Sequence, residues 1–288
     1  MRPIAERCHR VLEPLHAMIH FAPELQEVLT GMGLRPGRMC ALASRVAPLG
    51  AVSLGAVSGV FYTFNPELIG RFVPRAWTLA SPADIVAGRF AAAEAALRRL
   101  LGPEIIGSPE LAEAANLARA AAEGCFPAGR PMYAAHAEAP WPDEPHLALW
   151  HAATLLREFR GDGHVAVLVS RGLDGPTALV THTATGAGFV EPAAKLLRGW
   201  SEDQWAEAVQ RTRDAGLIDA SGRLTERGTA LRRDLEDATN RLAERPWSLL
   251  GPDKANRLHD VALPLARQVV AAGAFPDDIF AGRNFTKS

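Results

Sequence analysis

The 288-residue chain is poor in the residues and motifs that announce most enzyme classes. Cys8, Cys40 and Cys125 are its only cysteines, widely spaced and without a CxxC pair, which excludes a disulfide framework and a zinc ribbon. A reducing, cytoplasmic setting is the expectation. No uncharged run reaches the ~18–20 residues of a membrane span, so no membrane partner is expected. The start, Met1-Arg-Pro-Ile-Ala-Glu6, has an early acid and no apolar h-region, so no signal peptide is read there. There is no Gly-x-Gly-x-x-Gly after a strand pattern, no phosphate-binding Walker loop, no Gly-x-Ser-x-Gly and no His-Glu-x-x-His. Lysine is nearly missing too, and the net charge is −1. A strong DNA binder usually carries a basic excess, because phosphate neutralisation supplies much of the affinity.

What is present is dense between Asp143 and His164. Asp143 reads as an N-cap, with Glu144 and Pro145 in the first turn, where a missing N–H costs nothing. Gly161-Asp-Gly163 reads as the end of that helix, since glycine tolerates a left-handed C-cap. At about 100° per residue, Ala148, Leu149, Ala152, Ala153, Leu155, Leu156 and Phe159 fill one apolar arc. The opposite stripe holds His151, Thr154 and Glu158, flanked by Trp150 and Arg157. A face meant only for solvent carries more Glu, Lys and Arg than this, so the stripe is the expected site. Near the N-terminus His9, Glu13, His16 and His20 fall within about 60° of one another on a helical wheel. Pro14 interrupts that stripe, so a helix is expected to begin near Glu13 and leave His9 outside. His16 and His20, one turn apart, are spaced to present two imidazoles to one metal ion.

Residues 1–127 read as an N-terminal helical lobe. Residues 128–142, with Gly129, Pro131, Pro140 and Pro142, read as a linker. Residues 143–247 form a second lobe, and 248–288 a last helix and a loose tail from Phe275. In the second lobe Ser201 caps a helix that runs to Asp214, and Gly216 stops it. Leu217–Asp219 and Arg223–Thr225 read as short strands around Ala220-Ser-Gly222, and a long helix follows. The fold expected is therefore mainly α, with a C-terminal winged helix-turn-helix bearing a small β-hairpin wing. Leu25–Leu34 with Ala41-Leu42 faintly echoes Val165–Leu173 with Ala178-Leu179, which adds an expected internal duplication. The two His-bearing helices would then face each other.

Trp150-His-Ala-Ala-Thr-Leu-Leu-Arg-Glu-x-Arg-Gly-Asp-Gly-His164 resembles the signature of an actinobacterial helix-turn-helix family, the SalK-like proteins. Pro14-Leu-His-Ala17, Phe21-Ala-Pro-Glu24, Ala47-Pro-Leu-Gly50, Phe61-Tyr62 and Gly199-Trp-Ser201 carry the same resemblance. Many relatives are expected to have an aromatic such as Tyr at the position of His20.

The resemblance implies a helix-turn-helix protein and leaves its chemistry open. From Arg198 to Arg245 there are nine Arg, ten acids and no Lys, with Glu202 and Asp203 opening the recognition-type helix. That balance disfavours DNA, although Arg211, Arg213, Arg223 and Arg227 offer a modest patch.

Two main readings follow, beside a third in which the protein is a structural or dimerisation partner with no chemistry of its own. One is a small-molecule- or metal-binding protein, extending to an enzyme of specialised metabolism, with its cleft between the lobes. In it His151 and Glu158 serve as acid–base groups, and Trp150, Thr154 and Arg157 hold the ligand. His16, His20 and His151 would hold a transition metal or metal-containing cofactor, while Arg157 and Arg160 suit a carboxylate or phosphate. The other reading is a ligand-responsive regulator that binds DNA. A homodimer fits either.

Overall fold

The structure is a computed structural model that describes residues 3–281. Its first half contains α1 (Ile4–Ala17), α2 (Pro23–Gly31), α3 (Arg38–Val46), α4 (Leu54–Val60), α5 (Pro66–Ala76), α6 (Pro82–Ile106) and α7 (Pro109–Ala122). There follow α8 (Pro131–Ala137), α9 (Pro145–Ser170), α10 (Gly175–Thr183), α11 (Glu191–Arg198) and α12 (Glu202–Asp214). The last three are α13 (Glu226–Leu242), α14 (Arg245–Leu250) and α15 (Pro252–Ala271). Many of the starts follow from capping chemistry. The Ser81, Ser108 and Asn65 side chains accept from the Asp84, Leu111 and Glu67 amides at 3.1, 3.2 and 2.9 Å. Ser201 and Gln204 form a reciprocal capping box at the start of α12.

The axis of the molecule is α9, against which α1, α6, α7, α8 and α13 pack. Small residues on α7, among them Ala114, Ala115, Ala118 and Ala121, are buried and allow close approach to α9. Trp150 and Phe159 are the largest apolar side chains that α9 fully buries. On its other side α1 lies on α15: Cys8 Sγ donates to the Ala255 carbonyl, and Arg7 donates to Asn256 Oδ1 at 3.0 Å.

Several expectations need correcting. The first is the end of the central helix: α9 continues through Gly161-Asp-Gly163 to Ser170. Both glycines stay helical, and Gly163 makes room rather than a turn. A Cβ on Gly163 would lie 2.2 Å from Arg130 Nη1, and that guanidinium donates to the Phe159 and Leu242 carbonyls at 2.5 and 2.9 Å. Asp162 is buried and accepts from the Tyr133 amide at 2.9 Å. The N-cap is Glu144, without a side-chain cap bond, not Asp143. Likewise α1 includes His9, because Pro14 is tolerated within it. The stretch read as a linker, 128–142, contains α8, with Met132, Tyr133 and His136 buried.

The β-hairpin wing does not form, and no strand occurs among the described residues. Ile218 and Leu224 make one isolated antiparallel bridge. The reason is local. Asp219 Oδ1 folds the turn on itself by accepting from the Ser221 and Arg223 amides at 2.8 and 3.0 Å. Thr225 is committed to capping α13, where it accepts from the Gly228 amide at 3.0 Å. Too few residues remain to extend the ladder.

Phe275–Ala281, read as loose, is tied down instead. The Val190 amide donates to the Ile279 carbonyl at 3.0 Å, the Ala281 amide donates to the Gly188 carbonyl at 2.8 Å, and Phe280 stacks on Phe189. The rest of that expected tail, 282–288, lies outside the described residues.

Candidate functional site

The two His-bearing helices do meet. His16 Nδ1 lies 3.0 Å from Thr154 Oγ1, whose own proton goes to the Trp150 carbonyl at 2.9 Å. His16 Nδ1 must therefore donate, which fixes the tautomer. Burial, then His20 and Arg157, hold His16 well below its usual range, so its buried Nε2 is an unprotonated acceptor. The His20 ring stands edge-on to it, 5.4 Å between centroids. One turn down the seam Glu158, only 1% exposed, accepts from Arg45 Nε and Nη2 at 3.0 and 3.1 Å and from Arg157 Nη1 at 3.1 Å. Burial alone would raise the Glu158 carboxyl, but Arg45 and Arg157 outweigh it and keep it well below the ordinary carboxylate range. It is a permanent anion, which suits holding the arginines better than moving protons. Glu13 stands 4.0 Å from Arg157, and burial raises its pKa.

The other expected site residues lie around this pair. Trp150 is buried under the Arg89 guanidinium, 4.9 Å from its ring. His151, 1% exposed, is boxed by Phe90 and Trp141 at 5.4 and 4.9 Å, and burial followed by Arg89 lowers it to about 4. His16 and His20 thus pair with each other while His151 sits among aromatic rings. Among the described residues no group of three or more His, Cys, Asp or Glu is placed to hold a metal ion.

Two arginines that sequence reasoning missed, Arg45 and Arg89, complete the cluster. Arg89 donates to His136 Nδ1 at 3.3 Å, while its Nε and Nη2 have no partner. Its signal was available: Ile85, Arg89, Ala92 and Ala96 fall on one buried face of α6, and an arginine on an apolar arc is anomalous.

The seam opens at its lower end into a polar cleft of about 410 Å³. Its walls include His9, Arg10 and Glu13 of α1, Arg160 of α9, His182 at the end of α10, and Arg232 and Glu236 of α13. Arg160 pairs with Glu236, and Arg232 Nη2 donates to His182 Nδ1 at 3.1 Å. A second space, an apolar groove of about 570 Å³ lined by Val86, Phe90, Pro48 and Pro140, lies on the far side of Phe90.

Helices α10, α11 and α12 form a trihelical unit whose core is Val180, Ala194, Trp205, Ala208 and Ile218. Gly199, in the left-handed region at φ 77°, makes the turn between α11 and α12. The chain matches the profile of a helix-turn-helix family over residues 5–276. It belongs to that helix-turn-helix family. No curated protein and no solved structure matches it.

In this helix-turn-helix family member the turn between α11 and α12 is engaged by residues 63–68. The Asn65 amide donates to the Arg198 carbonyl at 2.9 Å, and Asn65 Nδ2 donates to the Gly199 carbonyl and Gln204 Oε1, both at 3.0 Å. Trp200 Nε1 donates to the Thr63 carbonyl at 2.9 Å. A Cβ on Gly199 would come within 2.6 Å of Leu68 Cβ. The start of α12, which in a DNA reader approaches bases and phosphates, is docked along one side on residues 63–68. Its exposed side carries Glu202, Asp203 and Glu207. Arg211 and Arg223 are each paired with an acid, Asp174 and Asp219. No single helix among the described residues is long and apolar enough to cross a membrane.

Proposed function

We propose that this protein binds a small polar molecule along the α1–α9 seam and its cleft, and that its helix-turn-helix unit builds that site rather than reading DNA. The seam itself carries the reading: a buried line of His16, Thr154 and Glu158, flanked by the half-buried Arg157 and with His16 Nε2 orphaned, that continues into a cleft of about 410 Å³. Buried polar groups are costly unless paired, and they persist chiefly where function needs them. Within the seam Glu158 fixes Arg45 and Arg157, the half-buried Arg157 faces the ligand, Thr154 orients His16, and the unprotonated His16 Nε2 is a free acceptor. His20 and His151 tune that environment. The signature from Trp150 to His164 supports placing the chain in the SalK-like branch, and the paucity of cysteine supports a cytoplasmic location.

Native mass spectrometry of the full-length chain, compared with Arg157→Gln, tests this. A bound mass present in the first and lost in the second is the expected result. A bare wild-type chain that shifts duplex DNA in a mobility assay, with the shift unchanged in Arg157→Gln, would overturn it. One observation favours that second, DNA-binding reading: Arg227 is exposed near the turn that follows α12. Its mark would be loss of the shift in Arg227→Ala and a steep fall with salt.

A further inference from the structure

We propose that the cleft between α1, α9, α10 and α13 is an oxyanion site that holds a small carboxylate or phosphate monoester against Arg160, Arg232 and His182. This inference rests on the ligand-binding reading above and assigns the ligand its charge. A volume of about 410 Å³ suits a small molecule. Three nitrogen donors from three separate helices converge on its walls. Arg160 is 8% exposed, and one of its terminal nitrogens is engaged by Glu236 while the other, Nη1, has no partner. Arg232 spends Nη2 on a neutral acceptor, His182 Nδ1, and its Nε is likewise unpartnered. A guanidinium only donates, so His182 Nδ1 must accept and its proton resides on Nε2. Gly188 makes space for that donor: a Cβ there would fall 2.6 Å from His182 Nε2.

The walls carry both signs of charge, with His9 Nδ1 3.8 Å from Glu13, and their imidazoles sense mainly the arginines. Burial first, and then arginines, depress every imidazole around the cleft: Arg160, Arg157 and Arg10 act on His9, Arg232 and Arg160 on His164, and Arg232 and Arg198 on His182. None of these three shifts has a carboxylate among its main causes. Against Arg10, Arg160 and Arg232 stand Glu6, Glu236 and a Glu13 that burial biases toward its neutral form. A buried donor without an acceptor is destabilising, and two guanidiniums in that condition at one cleft call for an anion.

The test is calorimetric titration of the full-length chain with phenyl phosphate, benzoate and neutral benzamide at constant ionic strength, with the ¹⁵N imidazole signals followed in parallel. We expect phenyl phosphate or benzoate to bind and to move the His182 signal, and affinity to fall about tenfold or more in Arg232→Gln. The stronger of these two probes tells phosphate from carboxylate. If Arg232→Gln does not fold, His182→Phe, which removes the Nε2 donor without removing a charge, must show the loss instead. Three results overturn the assignment: no oxyanion binding at about 10 mM, affinity unchanged in the variant, or benzamide binding as tightly as benzoate. The last would leave the ligand-binding reading standing and remove only its charge. Loss of the bound mass in the experiment on Arg157→Gln reports on that broader reading independently.

Discussion

Gly163→Ala isolates the packing around the central helix. On an exposed helical position Gly→Ala stabilises by about 0.5–1 kcal/mol, because glycine loses more backbone freedom on folding. At Gly163 the added methyl would sit 2.2 Å from Arg130 Nη1, 3.2 Å from its Cζ and 3.3 Å from Leu242 Cβ. Arg130 has nowhere easy to go. It is 6% exposed, its Cζ lies 4.2 Å over the Phe159 ring, and it donates to carbonyls on both α9 and α13. Displacing it forfeits two charge-assisted hydrogen bonds, each worth about 1.5–3 kcal/mol. After the helical gain, the net cost is about 2–5 kcal/mol. The matched control is Gly59→Ala, where a Cβ meets nothing within 4 Å and the helix should gain stability. Urea unfolding of both variants is the assay, read as the change in midpoint at constant slope. Gly163→Ala at or above wild-type stability would refute the packing argument. In Arg130→Ala the methyl has room, so Gly163→Ala should then be harmless, a coupling that a double-mutant cycle measures.

Three further outcomes are expected. Glu158→Gln leaves Arg45 and Arg157 facing an uncharged amide and costs about 3–5 kcal/mol at pH 7; since the folded carboxyl titrates well below 4.5, the deficit against wild type shrinks only at acid pH, which melts at pH 7 and pH 4 compare. His151 has a folded pKa lowered from 6.5 to about 4, so the unfolded chain binds the extra proton between those values and stability falls as pH drops through that window. His151→Phe should therefore remove one proton's worth of slope, about 1.4 kcal/mol per pH unit, from the stability curve over that range. Phe280→Ala removes a ring that stacks on Phe189 and meets Phe21 edge-on, and it should open residues 275–281 locally by about 3 kcal/mol. Limited proteolysis would show new cleavage there with the global transition nearly unmoved.

The sequence disclosed what local chemistry decides. Ser81, Ser108, Asn65 and Ser201 mark helix starts because a side-chain oxygen and the amides it satisfies are near neighbours in the chain. Glu13 and His16 on one face were legible for the same reason, although Pro14 was read as leaving His9 outside the helix. What escaped depends on distant partners. Gly161 and Gly163 have the look of a C-cap, and only the arrival of Arg130 from outside α9 shows that the missing side chain of Gly163 serves close approach. The stretch 128–142 has the proline and glycine of a linker, yet Tyr133 and His136 are buried because Asp162 and Arg45 lie across from them. The wing failed because a two-sided strand pattern says nothing about the side chains of Asp219 and Thr225 claiming the same amides and carbonyls. At the site, the facing of the two His-bearing helices was expected, but the bond between His16 and Thr154 was not. The roles of Arg45 and Arg89 were not, since arginine on a helix defaults to solvent.

The pairing of α1 with α15 has a consequence for biosynthesis. Cys8 and its acceptor Ala255 are separated by 247 residues, so the helix that supplies His9, Glu13 and His16 finds its outer neighbour only after that whole interval has been made. At typical translation rates that interval is about 10–50 s. Throughout it, the apolar side of α1 has no cover from α15, and any seam it forms with α9 is held from one side only. Chains cut short before α15 would leave the α1–α9 seam unclosed. Closure of the seam would wait on the synthesis of α15.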